Sequence, residues 1–444
     1  MTDEHNPYES LETRLQTRKT EYDTISVPNS STSLAVQSGI KQATRKHKIR
    51  MRWVMSCISI AAFVLLFTGC IRVSPAFASF VKQFPGMEGI VNIIAQDKGL
   101  MMAIDQSLLQ KVGLTDEHDG ISVTVEGIIT DESRMVIFYK IKGLKDAEKG
   151  NYTIDLLDQN GIRLPVGYSY LASNSISDNQ VYEDVIDILL PDDVSPPDQL
   201  SFVVKPKDKK HVGEWKVTTQ IDKNLTRGMK KIIDINHTLI VDGQKILIKQ
   251  VTMYPTRLVL DVQFDANNTK KIFGMSDLQL IDEQGLAWKT DTSIGEETRS
   301  IHFESMYFSS PKKLTLQGSG LSGLNKKELD FSLDLQSQEI SGGPSGLKMI
   351  GSKIEGKDLV IDFFIPTDMS NNFTLAFSKV KDSMGKTYEI NETRWRSNND
   401  TEQEHTVVSS VITNGAALKD TIEMRISTYP SKVKAPFSLE IPIH

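Results

Sequence analysis

The sequence predicts a mainly β protein: a single transmembrane helix, a short helical collar, and about three tandem β-sandwich modules of immunoglobulin-like type. Three observations predict this. One run, WVMSCISIAAFVLLFTGCI (53–71), is nineteen residues long and carries no charge. From Ile121 onward, β-branched and aromatic runs such as ISVTV, MVIFYKI, KILIKQV, LVLDVQF and LVIDFFI are separated by Gly, Asn, Asp and Pro, which is a strand-and-turn texture. A pair of landmarks within that texture recurs three times.

As a helix the uncharged run is about 28 Å long, close to the roughly 30 Å hydrocarbon core of a bilayer. A soluble helix of that length needs a polar face, and this run offers only Ser, Thr and Gly. Lys41, Arg45, Lys46, Lys48, Arg50 and Arg52 precede it with no acid among them, while only Arg72 and Lys82 follow closely. Basic residues stay on the cytoplasmic side, so 53–73 is expected to cross the bilayer once, N-terminus in the cytoplasm and C-terminus outside. The expected topology signal is Arg45, Lys46, Lys48, Arg50 and Arg52. Leu66 to Cys70 resembles a lipobox, and Ala76-Phe77-Ala78 resembles a signal-peptidase site. Both require a short charged n-region, whereas 52 residues come first, which favours an uncleaved anchor.

Residues 1–52 form the expected cytoplasmic tail. Positions 1–40 are polar and mildly acidic and read as disordered. Val36, Ile40 and Ala43 fall at i, i+4 and i+7, so a helix there would carry a short apolar stripe for a membrane surface or a partner. Outside, 80–116 spaces Phe80, Phe84, Met87, Ile90, Leu100, Ile104 and Leu108 as amphipathic helices do, with breaks at Pro85-Gly86 and Gly99. This is the expected collar.

The recurrent landmarks are an anchor strand and a turn. Met135-Val136-Ile137-Phe138-Tyr139, Leu258-Val259-Leu260-Asp261-Val262 and Leu359-Val360-Ile361-Asp362-Phe363 are spaced by 123 and then 101 residues. Each is followed 23 or 24 residues later by a turn: Asp158-Gln159-Asn160-Gly161, Asp282-Glu283-Gln284-Gly285 and Asp382-Ser383-Met384-Gly385. Asp at the start and Gly at the fourth place suit a tight turn with positive φ. Generic hairpins share such features, but two landmarks at nearly constant separation three times over point to three modules, 118–228, 229–338 and 339–444. Fragments beginning near Met229 and near Glu339 are expected to fold alone.

Chemistry is sparse. The net charge of −6 argues against a nucleic-acid partner. The two cysteines, Cys57 and Cys70, lie in the apolar run, so the outer part has no disulfides. A large cysteine-free outer part suits a Gram-positive surface. Gly318 to Gly323 matches G-x-G-x-x-G, but the segment after it alternates like a strand, so a flexible loop is expected rather than a dinucleotide site. Thr115 to Glu126 has the outline of a calcium loop, with Thr115 where an Asp is required and a strand-like segment after Gly120; an acidic turn is the better reading. No His-Glu-x-x-His, paired zinc histidines or Gly-x-Ser-x-Gly elbow occurs. A carboxylate pair hidden among the many acids stays open. No cofactor, metal or catalytic residue is assigned, and the chain is expected not to be an enzyme.

A basic tail, the uncharged run, the stretch Pro75 to Ala78, a collar and then GISVTVEGIITDESRMVIFYKIKG together resemble a Gram-positive membrane family known only as a domain of unknown function, number four-one-seven-nine. The resemblance covers roughly residues 35–210, and the later modules look like its immunoglobulin-like companions. It brings no catalytic residues. Because such proteins are often encoded beside extracytoplasmic-function sigma factors, it implies an anti-sigma or sigma-regulatory role. The expected partners are the lipid bilayer, a cytoplasmic sigma factor at the tail (Val36, Ile40, Ala43) and an unidentified envelope ligand at the outer modules. The tail has no zinc-binding His and Cys set and is short for a full anti-sigma domain. The alternative is a passive envelope-binding or adhesion protein.

Overall fold

A computed structural model describes residues 7–24, 94, 96–143, 152–171, 176–177, 181–207, 213–309, 311–365, 375–398 and 405–443. The run 53–71, the stripe residues Val36, Ile40 and Ala43, the basic residues Arg45, Lys46, Lys48, Arg50 and Arg52, both cysteines and the first part of the collar lie outside the described residues. Among the described residues no helix is long and apolar enough to cross a membrane. The chain divides into two units, Met1–Ser74 and Pro75–His444.

In the first unit, α1 (Pro7–Asp23) replaces the disorder expected for this stretch. Pro7 stands at the first helical position, where its missing N–H costs nothing. No glycine interrupts the helix, and the Thr17 and Thr20 hydroxyls donate to the carbonyls of Thr13 and Gln16, both at 2.7 Å. Leu11, Leu15 and Tyr22 share one face and are exposed.

Among the described residues the second unit is mainly β, with one apolar core in each of three modules and a smaller fourth cluster between the first module and residues 94–108. In the first module, the sheet β1-β2-β3-β7-β5, with β6 on β7, and the sheet β4-β8-β9 enclose a core that includes Ile137, Tyr139, Phe202 and Trp215. Its principal strands are β1 (Gln110–His118), β2 (Ile121–Thr130), β3 (Arg134–Lys142), β4 (Tyr152–Leu157), β7 (Val181–Leu189), β8 (Gln199–Pro206) and β9 (Trp215–Gln220). β5 (Tyr168–Tyr170) and β6 (Ile176–Ser177) are short.

The second module orders its strands β10-β11-β12-β16-β15-β14-β17-β13. These are β10 (Lys231–Val241), β11 (Gln244–Met253), β12 (Arg257–Phe264), β13 (Lys270–Ser276), β14 (Gln279–Asp282), β15 (Ala287–Gly295), β16 (Thr298–Glu304) and β17 (Leu314–Asn325). The third module faces the sheet β19-β18-β26-β22-β23 against β20-β21-β25-β24. Its strands are β18 (Asp330–Asp334), β19 (Ile340–Gly342), β20 (Lys348–Glu355), β21 (Asp358–Ile365), β22 (Ala376–Lys381), β23 (Thr387–Tyr388), β24 (Ile390–Asn398), β25 (His405–Ile412) and β26 (Thr421–Thr428).

The three anchors, β3, β12 and β21, take the same place in each module. Each is the second strand of a hairpin whose first strand bulges beside the anchor's fifth residue. The register shifts after Val125↔Tyr139, Ile248↔Val262 and Met349↔Phe363. The following turns also coincide. Asp158, Asp282 and Asp382 each accept, on one carboxylate oxygen, the N–H groups two and four residues on, at 2.8–3.0 Å. Gly161, Gly285 and Gly385 each take positive φ, at 74°, 82° and 82°.

The strand β27 (Val433–Ile441) leaves the third module and pairs with β17, from Leu314↔Ile441 to Leu321↔Val433. The third module is therefore an excursion between two strands of the second. The expected boundary at 338/339 falls inside the β18–β19 hairpin. A segment beginning at Glu339 lacks β18, which pairs with both β19 and β26, and carries β27 without its partner.

The G-x-G-x-x-G stretch is strand rather than the expected loop, and it forms the middle of β17. A Cβ on Gly318 would meet the Phe437 ring, and one on Gly320, at φ 152°, would collide with the Val433 carbonyl. The glycines admit the returning strand.

The collar needs a similar correction. Its described helix, α2 (Lys98–Asp105), spans eight residues, and 110–116 is strand rather than helix. Ser107 ends α2 in the left-handed region (φ 63°). The Leu108 and Ser107 N–H groups then close on the Ala103 and Ile104 carbonyls at 3.0 and 2.9 Å. The calcium-like outline is a two-residue hairpin turn at Asp119-Gly120, where both residues have positive φ.

A candidate coupling joint between the collar helix and two modules

Strands β2 and β3 are buried on both faces, and β3 accordingly carries the continuous apolar run Met135–Tyr139. One face lines the first module's core. The other, with Ile129, Val136, Phe138 and Val185, is covered by Leu100, Ala103 and Ile104 of α2. The same helix also rests on the second module. Gly99 lies so close to Ser305 and the Thr256 carbonyl that an added Cβ would sit 2.8–2.9 Å from them. Met102 packs on the second module's core. Lys98 donates to the Ala287 carbonyl, pairs with Glu304 at 3.4 Å and stands 5.1 Å over the Trp288 ring.

Buried polar groups link the three parts. Asp97 caps α2 by accepting the Leu100 N–H at 2.9 Å, and its second oxygen accepts from Arg134 Nη1 at 2.7 Å. Arg134, only 3% exposed, also holds Asp187 through Nε at 2.8 Å and Nη2 at 2.9 Å, and donates to the Thr256 carbonyl at 3.2 Å. Asp131 Oδ1 accepts from the Ser133 and Arg134 N–H groups within its own turn. Its Oδ2 accepts from Thr256 N and Oγ1 across the joint, at 2.9 and 2.7 Å.

Arg257 approaches Asp187 at 3.5 Å and Asp291 at 3.1 Å, and lies 3.4 Å from His302 Nδ1. Arg134 and Arg257 are repeat-equivalent, each being the residue before an anchor, so two equivalent hairpin tips share one carboxylate, Asp187. The third module has Asp358 at this place, where it accepts the Asn414 N–H within its own module.

The electrostatics follow from burial and pairing. Burial alone would depress the Arg134 pKa, but Asp97 and Asp187 outweigh it and raise it. Burial would raise Asp187, but Arg134 and Arg257 outweigh it and hold it below the usual carboxylate range. Burial first, and Arg257 second, push His302 down to about 3, so its imidazole is neutral and accepts from Arg257. Such a network fixes the relative placement of its elements more than it adds stability. Among the described residues no group of His, Cys, Asp and Glu is arranged to hold a metal.

The collar and anchor residues Leu100, Ile104, Val136 and Phe138 were marked as apolar by sequence, but the polar groups of the joint, Asp97, Asp131, Arg134, Asp187, Thr256 and Arg257, were not singled out. The available signal was Asp187 inside the apolar run VIDILL, because a carboxylate rarely enters such a run unpaired.

Fold and joint together define a multi-module β protein with a collar helix built into its first two modules. Residues 46–143, which include α2 and β1 to β3, match the family described as Domain of unknown function (DUF4179). Residues 230–349, covering most of the second module, match one described as Family of unknown function (DUF5643). No curated protein matches the chain. A solved structure described as the conserved domain protein from Bacillus anthracis is similar at 12% identity with a TM-score of 0.36, over 76% of this chain and 93% of that one.

Proposed function

We propose that the chain is a single-pass membrane regulator. Its outer modules, immunoglobulin-like in type, receive an envelope signal, and its cytoplasmic tail engages a partner, a sigma factor being the partner class the family resemblance implies. The observation that carries this reading is the uncharged run 53–71 between six basic residues and a large β-rich part. The joint supports it, since a helix locked into two modules suits transmission better than a free linker would. Tail residues Val36, Ile40 and Ala43 supply one short apolar stripe, and Leu11, Leu15 and Tyr22 on α1 supply an exposed second one.

The test is capture of purified candidate sigma factors by residues 1–52, together with transcription in cells. Val36→Glu with Ile40→Glu is expected to leave abundance and insertion intact and to abolish capture. If residues 1–52 bind no sigma factor and deleting 1–40 leaves transcription unchanged, the regulatory reading fails and a passive envelope-binding protein takes its place.

A further inference from the structure

We propose that a cleft in the second module, between β13 and β15, receives an extended peptide strand by pairing with both of its walls. This deepens the reading above by giving the receiving part a ligand class. The cleft has a volume of about 660 Å³ and is lined by 273–279, 289–293 and Gly295 together with Phe264, Arg299 and Ile301.

Its origin lies in the strand register. β14 pairs with the first half of β15, from Gln279↔Lys289 to Ile281↔Ala287. Continued, that register would lay the Phe273–Ser276 part of β13 along Thr292 to Gly295. Instead β15 turns away at Thr290 and pairs with β16 through a bulge at Asp291. Asp277, with positive φ (50°), kinks the chain between β13 and β14 opposite that point. The Asp291 carboxylate is drawn toward Arg257 at 3.1 Å, so the splay is anchored rather than frayed.

Two strand edges consequently face each other across the cleft. Among the described residues β13 pairs only with β17, and the second half of β15 pairs only with β16. Each edge runs four or five residues, roughly 15 Å of extended chain. Arg299 crosses the far end, donating to the Phe273 carbonyl on one wall and, at 3.1 Å, to the Gly295 carbonyl on the other. Arg299 thus shows a backbone acceptor of each wall turned toward the cleft, and itself closes that end.

The remaining surfaces set side-chain preference. Phe264, Leu278 and Ile301 are buried beneath the cleft, with Met275 half-buried beside them. Thr290, Thr292 and Ser293 are exposed at the rim. A strand between such surfaces presents alternate residues to each, so the ligand is a short extended peptide with apolar residues at every second position. Backbone pairing selects a polypeptide over a glycan, which has no alternating amide ladder to offer. The β15 wall is tied through Asp291 to Arg257, so occupancy acts directly on the joint.

The test uses the full chain in detergent micelles and a phage-displayed library of random linear heptapeptides. Enriched peptides are expected to show period-two apolar alternation. Bound to the wild-type protein, a selected peptide should slow amide exchange at 273–276 and 290–294. Met275→Trp, which fills the floor, should weaken its binding at least tenfold, and N-methylation of alternate peptide amides should abolish it. No enrichment, protection elsewhere in the protein, or displacement of the peptide by soluble oligosaccharides overturns the proposal. If Met275→Trp does not fold, wild-type exchange decides. The measurement does not depend on membrane orientation or on the tail, so its failure and that of the regulatory reading are separate results.

Discussion

Removing Arg134 would leave the half-buried Asp97 without its cation and Asp187 with only the more distant Arg257, and breaking a buried pair from one side typically costs about 3–5 kcal/mol. Arg134→Leu is expected to destabilise the joint by that order, and Arg134→Leu with Asp187→Leu to recover part of it. Denaturant midpoints of the transition that includes the first two modules check this.

His302 adds a pH dependence. Its folded value, about 3, lies below its ordinary 6.5, so below 6.5 the unfolded chain binds a proton that the folded chain does not. Stability is therefore full above pH 6.5 and declines as the pH falls toward 3, by at most about 1.4 kcal/mol per pH unit. Asp187, also lowered, adds its loss only as the pH falls below its ordinary 3.8. The protection factor of the Thr256 amide, taken against the intrinsic exchange rate at each pH, should fall between pH 6.5 and 5 in the wild type, and His302→Gln should remove that trend. These residues were hard to read in the sequence because an arginine before a strand or a threonine in a turn is ordinarily solvent-facing. Their burial comes from a neighbouring module far along the chain.

At the scale of elements, local patterns were legible and non-local pairings were not. The anchors and Asp-x-x-Gly turns were readable because each is written within five residues. Gly161→Val, Gly285→Val and Gly385→Val are each expected to cost about 1 kcal/mol or more, since valine tolerates positive φ poorly, and thermal unfolding of the three variants measures it. The return of β27 to β17 was hidden because the whole third module lies between them, and alternation within a strand says nothing about its partner. It changes the expected behaviour of fragments. A fragment from Met229 to the end should give a folded β-type circular dichroism spectrum. One beginning at Glu339 should not, because it lacks β18. A cooperative unfolding transition in the shorter fragment would show that the third module does not need that strand. The collar was half legible: its apolar spacing marked α2, but Ser107, rather than a glycine, takes the left-handed residue that ends it.

At the scale of the molecule, a tail and an apolar run precede a β-rich part whose first two modules are clamped by one helix. Everything proposed about signalling requires that the tail and the modules lie on opposite sides of a membrane. The direct measurement is cysteine labelling in intact cells, in a background carrying Cys57→Ser and Cys70→Ser. Ser30→Cys reports the tail and Asn160→Cys reports an exposed turn of the first module. With a membrane-impermeant maleimide, the account predicts labelling of Asn160→Cys in intact cells, and of Ser30→Cys only after the cells are permeabilised. Labelling of Ser30→Cys in intact cells, or protection of Asn160→Cys until permeabilisation, would contradict it.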